Sequence, residues 1–297
     1  MPSRIILEVP IPIKDGNTSI NNTMLKLGNK YEELNEKYDC TGHYEEKLDE
    51  NFLEFTLEEL GMPSAGQLYE QTLKIVDEIG GIKGWQRDNK ESEKYKGFSI
   101  CINPNGDEHL QSPYASLGHP ELNWSYSRLN NTNPPWKDDK DTYYDTYGFS
   151  TVHPVIDKHY SKFLECVDLL PTRSRVMWEY PNHEQSWHVD EVLWCAIRFN
   201  IPLITEPSYV LEIDGTDDYG NSLTLTKHLE VGKAYMWNTR IKHRVKDTGG
   251  GTKPRIHIVA AFIPWFEKDG DDWKPNKYFG VQPLDMIKSK MIFPYAS

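Results

Sequence analysis

The sequence is short of the features that mark several large classes of protein. Its four cysteines, Cys40, Cys101, Cys166 and Cys195, are widely spaced and form no C-x-x-C pair. This spacing argues against a disulfide framework and predicts buried free thiols. No stretch approaches the ~20 consecutive apolar residues of a membrane helix. The proline-interrupted start of the chain does not resemble a signal peptide, so we expect a cytoplasmic protein with no membrane partner.

Positive charge is also scarce. The chain has 33 Lys and Arg against 45 Asp and Glu, a formal net charge of −12. This balance disfavours a nucleic-acid backbone as a general partner, and we expect none. Aromatic residues, by contrast, make up 12% of the 297 residues. That content is unlike a disordered chain, and the length allows a large hydrophobic core.

Two segments in the first third of the chain look helical, namely 29–38 and 64–81. The segment 64–81 begins with Ser64, a suitable N-cap, and ends in a glycine pair that suits a C-cap. Its apolar residues follow the helical period, so we expect Leu68, Leu73 and Val76 to be buried against the rest of the protein.

The character of the sequence changes near residue 96. Residues 1–95 are charge-rich and mixed, and the chain after them consists mainly of short strand-like runs separated by Gly- and Asp-rich turns. This order predicts a mainly β fold, a double-stranded β-helix of the jelly-roll or cupin-like type, with the helical N-terminal leader packed outside. We expect the core at 96–265 and a C-terminal tail at 266–297. The polar segment 130–150 is either a cover for a site or a plain surface loop.

A histidine followed two positions later by a carboxylate occurs four times, starting at His43, His119, His188 and His228. Chance alone would give roughly one or two such pairs in this composition, so the pattern is uninformative without its context. Only His188, with Asp190, precedes a long apolar run, "VLWCAIRFNIPLI". Residues i and i+2 of an extended chain point to the same face, so these two side chains are expected to share a metal ion in the interior.

A third ligand is expected at His243. Alternation in "IKHRVK" puts His243 on an apolar face with Ile241 and Val245, and the basic residues on the other face. Two histidines and one carboxylate leave three coordination positions open, which is the arrangement of non-haem Fe(II) oxygenases. A buried histidine that binds no metal is the simpler alternative, and His257 is the rival ligand.

Cationic side chains are expected beside this metal site. The apolar run "RIHIVAAFI" begins with Arg255, which shares its face with His257. An arginine inside the mouth of a β barrel needs an anion, and its planar guanidinium matches a carboxylate. Arg198 and Asn200 have the same parity as Asp190. A metal triad with such anchors suits a small keto-diacid.

The segment 180–265, with "SWHVDE", "IKHRVK" and "RIHIVAAF" in this order, resembles the core of the Fe(II)/2-oxoglutarate-dependent dioxygenases. It is most similar to their aspartyl/asparaginyl β-hydroxylase-like branch, which includes proline hydroxylases. The resemblance implies a double-stranded β-helix in which His188, Asp190 and His243 form the catalytic iron site. It also implies three cofactor-binding residues, namely Arg255 for the C5 carboxylate of 2-oxoglutarate, with Arg198 and Asn200 nearby.

The activity implied by the resemblance is hydroxylation with Fe(II), 2-oxoglutarate and O2. The substrate would be an amino acid, a peptide side chain or another small molecule. Many relatives have a serine two positions after the arginine, where this chain has His257.

The residues alone leave other classes of function open. One is a cupin-like metal-binding module without oxygenase activity, and another is a zinc-dependent hydrolase or metal-dependent isomerase on the same barrel. Arg255 distinguishes them, because neither alternative needs a buried cation one strand beyond the last ligand.

Overall fold

The structure is a computed structural model. It describes residues 34, 37–38, 52–87, 90–105, 108–117, 147–188, 190, 193, 195–216, 222–239 and 241–297. Three α-helices have described bounds, namely α1 (Ala65–Ile79), α2 (Pro154–Leu164) and α3 (Pro283–Lys288), and residues 34, 37 and 38 are also helical. The strands are β1 (Phe52–Thr56), β2 (Lys83–Arg87), β3 (Lys90–Ser99), β4 (Cys101–Ile102), β5 (Thr151–Val152), β6 (Leu170–Pro171), β7 (Arg175–Glu179), β8 (Ile197–Ile204), β9 (Tyr209–Thr216), β10 (Ser222–His228), β11 (Lys233–Trp237), β12 (His243–Asp247), β13 (Arg255–Ile263), β14 (Phe266–Asp269) and β15 (Asp272–Pro275).

Two antiparallel sheets make up the centre of the fold. The large, eight-stranded sheet has the order β1-β11-β8-β13-β7-β3-β2, with β6 paired to β13. The small sheet has the order β10-β9-β12. Residues 184–188 extend it, because Glu184 bridges Lys246 and His188 bridges His243 on β12. From β7 to β13 the chain passes repeatedly between the two sheets, so the predicted double-stranded β-helix of the jelly-roll type is confirmed.

The two faces of the large sheet have different chemistry. Alternate residues of β13 (Ile256, Ile258, Ala260 and Phe262) belong to the main hydrophobic core, with residues of α1 and α2. The opposite, inner face meets the small sheet across a smaller apolar cluster that includes Tyr235, Trp237 and Val245. Several other inner positions of β7, β8 and β13 carry buried polar groups, including three arginines. The helices therefore stabilise the sheet from one side and leave the other side for polar chemistry.

Helix α1 follows the sequence prediction at both ends. Ser64 and Gln67 form a reciprocal capping box, and Gly80 adopts the left-handed conformation at the C-cap. Leu68 is fully buried and Val76 packs against the core. The expected burial of Leu73 is wrong, since 47% of this residue is exposed. The buried stripe instead follows Ala65, Leu68, Thr72 and Ile75.

The segments flanking the core also contribute to it. The expected boundary at residue 95 lies within β3, and β1 and β2 form the two edges of the large sheet. The tail contributes the β14–β15 hairpin and α3, with Phe293 in the main core. Three of the cysteines are buried free thiols, as predicted, and Cys40 lies outside the described residues. So does most of the 130–150 segment. Among the described helices, none has the length and apolar character needed to cross a bilayer.

Two leucines of α1 provide a matched test of this packing. Leu68→Ala should lower the free energy of unfolding by about 2–4 kcal/mol, because it removes a fully buried side chain and leaves a cavity. Leu73→Ala makes the same chemical change on the exposed face and should alter it by less than ~0.5 kcal/mol. Urea unfolding of both variants checks this expectation. Equal losses would show that α1 is not packed as described.

Candidate metal centre

The candidate metal centre lies where the chain runs beside the end of β12. The amide of His188 donates to the carbonyl of His243 at 3.1 Å, and the amide of His243 donates back to His188 at 2.9 Å. The amide of Asp190 then donates to the carbonyl of Thr239 at 2.8 Å. These backbone bonds bring the His188 and His243 rings to a centroid distance of 4.5 Å.

The apolar run that follows Asp190 is not one continuous strand from His188 onward. Residues 193 and 195 lie in turns, and β8 begins only at Ile197. The parity argument that linked Asp190 with Arg198 and Asn200 therefore does not apply. Arg198 and Asn200 face the inner side because of their register with β13, opposite Ala261 and Val259.

The three expected ligands converge. One ligand atom from each of His188, Asp190 and His243 lies within 4.8 Å of the others, and Nε2 of His243 is 3.6 Å from Oδ2 of Asp190. Ligands held at about 2.1 Å from one ion lie roughly 3–4 Å apart, so these side chains are close to the spacing that a single ion requires.

The hydrogen bonds of both histidines suit metal binding. Nδ1 of His188 is 2.8 Å from the carbonyl oxygen of Ser186, and Nδ1 of His243 is 2.9 Å from that of Ile241. A carbonyl only accepts, so each Nδ1 carries the proton and each Nε2 keeps its lone pair. This tautomer presents Nε2 to an ion, and the carbonyl fixes the ring orientation. The residues therefore fit a divalent metal.

Electrostatics hold Asp190 ionised. Burial alone would raise the pKa of the Asp190 carboxyl group, but the adjacent Arg198 guanidinium and the two imidazoles hold it well below its usual range. Arg198 pairs directly with Oδ2 of Asp190. Burial lowers the pKa of His188, and the neighbouring His243 lowers it further. The imidazole of His188 therefore favours the neutral form that binds metal.

Arg255 is buried at the start of β13 and has a protein partner. Its Nη1 donates to Oε2 of Glu179 at 3.1 Å, and the other oxygen of Glu179 is 2.9 Å from Nδ1 of His183. Nη1 of Arg255 also lies 3.4 Å from Nε2 of His257. Burial is the main cause that lowers the pKa of His257 far below its usual value, and the charges of Arg255 and Arg175 lower it further. This imidazole is therefore neutral.

Two groups of this network lack a hydrogen-bond partner in the described part of the chain, namely Nη2 of Arg255 and Nδ1 of His257. The neutral His257 accepts at Nε2 from Arg255, so its Nδ1 carries the proton. Both free groups are therefore donors. His257, the rival ligand of the sequence analysis, lies with Arg255 and outside the metal triad.

Arg175 was not identified from the sequence. It starts β7, which reads "RVMWE", with Val176 and Trp178 in the main core and Arg175, Met177 and Glu179 on the inner face. The alternation of the polar Arg175 and Glu179 with apolar core residues is the sequence pattern that indicates an inward-facing charge. Burial and the neighbouring Arg198 lower the pKa of Arg175.

The basic residues of β12 point away from the metal centre. Nε of Arg244 donates to Glu212 of β9 at 2.7 Å, and Lys246 pairs with the same carboxylate at 2.7 Å. His243 and Val245 alternate with them and are buried, as predicted. Trp237 packs edge-on to His243, with ring centroids 5.3 Å apart, whereas Trp194 lies outside the described residues.

Comparisons with known proteins give structural matches only. No protein-family model matches the chain, and no curated protein matches it. A 2OG-Fe(II) oxygenase family oxidoreductase from Burkholderia pseudomallei aligns with a TM-score of 0.40 and 8% identity, over 75% of this chain and 93% of that one. A Pseudomonas putida prolyl-4-hydroxylase aligns with a TM-score of 0.36 and 11% identity, over 72% and 95%.

The non-heme alpha ketoglutarate dependent epimerase SnoN from nogalamycin biosynthesis aligns with a TM-score of 0.35 and 12% identity, over 86% of this chain and 89% of SnoN. All three TM-scores are below 0.5. The function proposed below therefore rests on the residues of the site itself.

Two histidine substitutions test the ligand assignment. His188→Ala should weaken Mn(II) binding by roughly 100-fold or more, because it removes one of three ligands. His257→Ala, which removes another histidine between the two sheets, should leave Mn(II) affinity within about threefold. Calorimetric titration of both variants and the wild type measures this. Similar losses in both variants would contradict the triad.

The pH behaviour of His188 follows from its lowered pKa. Lowering the pKa of a base favours its neutral form, so the metal-free protein should keep His188 mostly neutral at pH 6.5, the ordinary midpoint of a histidine. NMR titration of the imidazole C–H signals, assigned with His188→Ala, should give a midpoint below 6.5. A midpoint above this value would mean that the Asp190 carboxylate outweighs burial.

Proposed function

We propose that this protein is an Fe(II)- and 2-oxoglutarate-dependent dioxygenase in which His188, Asp190 and His243 hold the iron. The observation that carries the proposal is a His-Asp-His triad that opens onto a sheet face with buried arginines. A triad leaves coordination positions for a chelating ligand and O2. A structural or hydrolytic metal site has no need of cations across an adjoining interior face.

The protein's part in this reaction is to fix the ligands and the charges. Bound Fe(II) would supply the oxygen activation that couples decarboxylation of 2-oxoglutarate to oxidation of a C–H bond. The carbonyls of Ser186 and Ile241 hold the two imidazoles in the ligating tautomer. Arg198 keeps Asp190 anionic and holds its carboxylate in place.

The far carboxylate of 2-oxoglutarate is assigned to Arg255 and His257. Both offer a donor with no partner among the described residues, at Nη2 and at Nδ1. Glu179 binds the other side of the guanidinium and so orients it. His257 takes the place of the serine found in many relatives and supplies a second, neutral donor to the carboxylate.

We assign hydroxylation of an amino acid, a peptide side chain or another small molecule as the overall reaction. The Arg255–Glu179 ion pair also favours the alternative, a cupin-like metal-binding module, because the pair partly neutralises Arg255 without any ligand. The two functions differ in what the metal-bound protein does with 2-oxoglutarate.

Succinate formation tests the proposal. Aerobic protein with Fe(II) and 2-oxoglutarate should release succinate above the level of a His188→Ala control, because many oxygenases turn over slowly without substrate. Under nitrogen, Arg255→Ala should weaken 2-oxoglutarate binding to the Mn(II) form by roughly 10- to 100-fold, with only part of the loss recovered by Arg255→Lys. Mass spectrometry and calorimetry measure the two effects.

A neighbouring cation provides the control for charge. Lys253 is exposed two residues before Arg255, and Lys253→Ala should leave 2-oxoglutarate affinity nearly unchanged. If Arg255→Ala also leaves it unchanged, Arg255 only pins its strand to Glu179. If the wild type binds Mn(II) but not 2-oxoglutarate, the metal-binding module becomes the better description.

A further inference from the structure

One buried cation of the inner face has no acidic partner in the described part of the chain. Arg198 pairs with Asp190, and Arg255 pairs with Glu179. Arg175 is only 9% exposed, yet it forms no described ion pair and its Nε has no hydrogen-bond partner. Its guanidinium carbon lies 5.1 Å from the ring of Trp85, and the nearby carboxylate of Asp190, which favours its charge, is already paired with Arg198. Arginine does not lose its proton in proteins, so Arg175 is a charge in need of an anion.

The register of the large sheet places Arg175 close to the metal centre. Arg175 of β7 is opposite Val259 of β13, and Val259 is opposite Asn200 of β8. Side chains of directly opposed residues lie on the same face, so Arg175 and Asn200 flank Val259 with about 10 Å between their backbones. Arg198 lies two residues before Asn200, or about 7 Å along the strand, and pairs with the ligand Asp190.

An aromatic wall lies beside this position. Tyr95 stacks on His183 with centroids 5.2 Å apart and packs against Trp85 at 5.9 Å. Tyr95 is opposite Glu179 in the register, two positions along β7 from Met177 and four from Arg175. All three rings are partly accessible, so they form an apolar surface that the body of an organic molecule can contact.

We propose that Arg175 binds a carboxylate of the substrate, so that the substrate of this enzyme is an organic acid. The inference rests on the proposed function, which assigns one carboxylate of 2-oxoglutarate to the metal and the other to Arg255. Arg175 is then the buried cation left for a second ligand. Its guanidinium has an edge available at Nε, the geometry that a carboxylate accepts in bidentate fashion.

A small probe tests this subsite without knowledge of the whole substrate. Acetate is titrated into the full-length protein loaded with Mn(II) and saturating 2-oxoglutarate under nitrogen, and binding is followed by tryptophan fluorescence. Trp85→Phe identifies the part of the signal that arises beside Arg175. Acetate should bind saturably to the wild type and about tenfold or more weakly to Arg175→Gln. Lys253→Gln, which also removes one positive charge, should bind acetate as the wild type does.

Two further probes define the chemistry. Acetamide has the shape of acetate without its charge and should not bind. Inorganic phosphate should bind more weakly than acetate. Tight phosphate binding with no acetate binding would overturn the assignment to a carboxylate, and equal acetate affinity in wild type and Arg175→Gln would overturn the subsite.

Thermal unfolding of the ligand-free protein separates a binding role from a structural one. Removing an uncompensated buried charge should leave the Tm of Arg175→Gln unchanged or higher, whereas Arg255→Gln should lower it because Glu179 loses its partner. A marked fall in the Tm of Arg175→Gln would indicate a structural cation.

Titration of 2-oxoglutarate keeps this inference distinct from the proposed function. Arg175→Gln should change the affinity for 2-oxoglutarate by less than about threefold. If it weakens 2-oxoglutarate as much as Arg255→Gln does, Arg175 belongs to the cosubstrate and the substrate subsite is refuted. If the wild type does not bind 2-oxoglutarate at all, the proposed function fails, and acetate binding to the Mn(II) form still reports on Arg175.

Discussion

The metal centre depends on the reciprocal backbone pairing of His188 with His243. The two residues are 55 positions apart in the chain and exchange both amide-to-carbonyl hydrogen bonds. This pairing sets the spacing of the two imidazoles. Two residues after His188, the amide of Asp190 donates to the carbonyl of Thr239. Without such backbone constraints, the ligand atom of each side chain could lie at several positions, one for each rotamer. Here backbone hydrogen bonds fix the origin of all three, through the mutual pairing of His188 with His243 and the bond from Asp190 to Thr239.

The division of the large sheet into an apolar face and a polar face makes the rest of the site possible. Helices α1 and α2 pack on one face, where their buried residues join those of the strands in the main hydrophobic core. The inner face can then hold three arginines, a glutamate and a neutral histidine in a small space. Such groups destabilise a folded protein unless they are paired. The stability of the outer face therefore compensates for the electrostatic cost of the inner one.

The sequence predicted the fold and the convergence of His188, Asp190 and His243 for physical reasons that the structure makes clear. His243 could be placed because strict alternation around it separates apolar from basic residues. Asp190 was linked with Arg198 and Asn200 for the wrong reason, because local parity was extended past the turns at residues 193 and 195. The ion pair between Arg255 and Glu179 joins β13 to β7. No local pattern reveals a partner 76 positions away.

Arg175 and Leu73 show two other limits of sequence patterns. Arg175 stands at the start of a short strand, where a charged residue ordinarily faces solvent, and only the pairing of β7 between β3 and β13 turns it inward. Leu73 has the right chemistry for a core position, but Thr72 fills that position on α1. Thr72 is fully buried because its hydroxyl is satisfied by the carbonyl of Leu68 and the hydroxyl of Tyr160.

The way in which the two imidazoles are held has a consequence for the evolution of this site. Each Nδ1–H is bonded to a main-chain carbonyl two residues earlier in the chain, at Ser186 and Ile241. Every amino acid carries that carbonyl, so the hydrogen bond that orients each ligand does not depend on which side chain stands at position 186 or 241. Side chains around the site can therefore vary during evolution while the backbone keeps the two imidazoles in the same orientation. Apart from the loss of a histidine itself, only a change that redirects the main chain at residues 186–188 or 241–243 would break it.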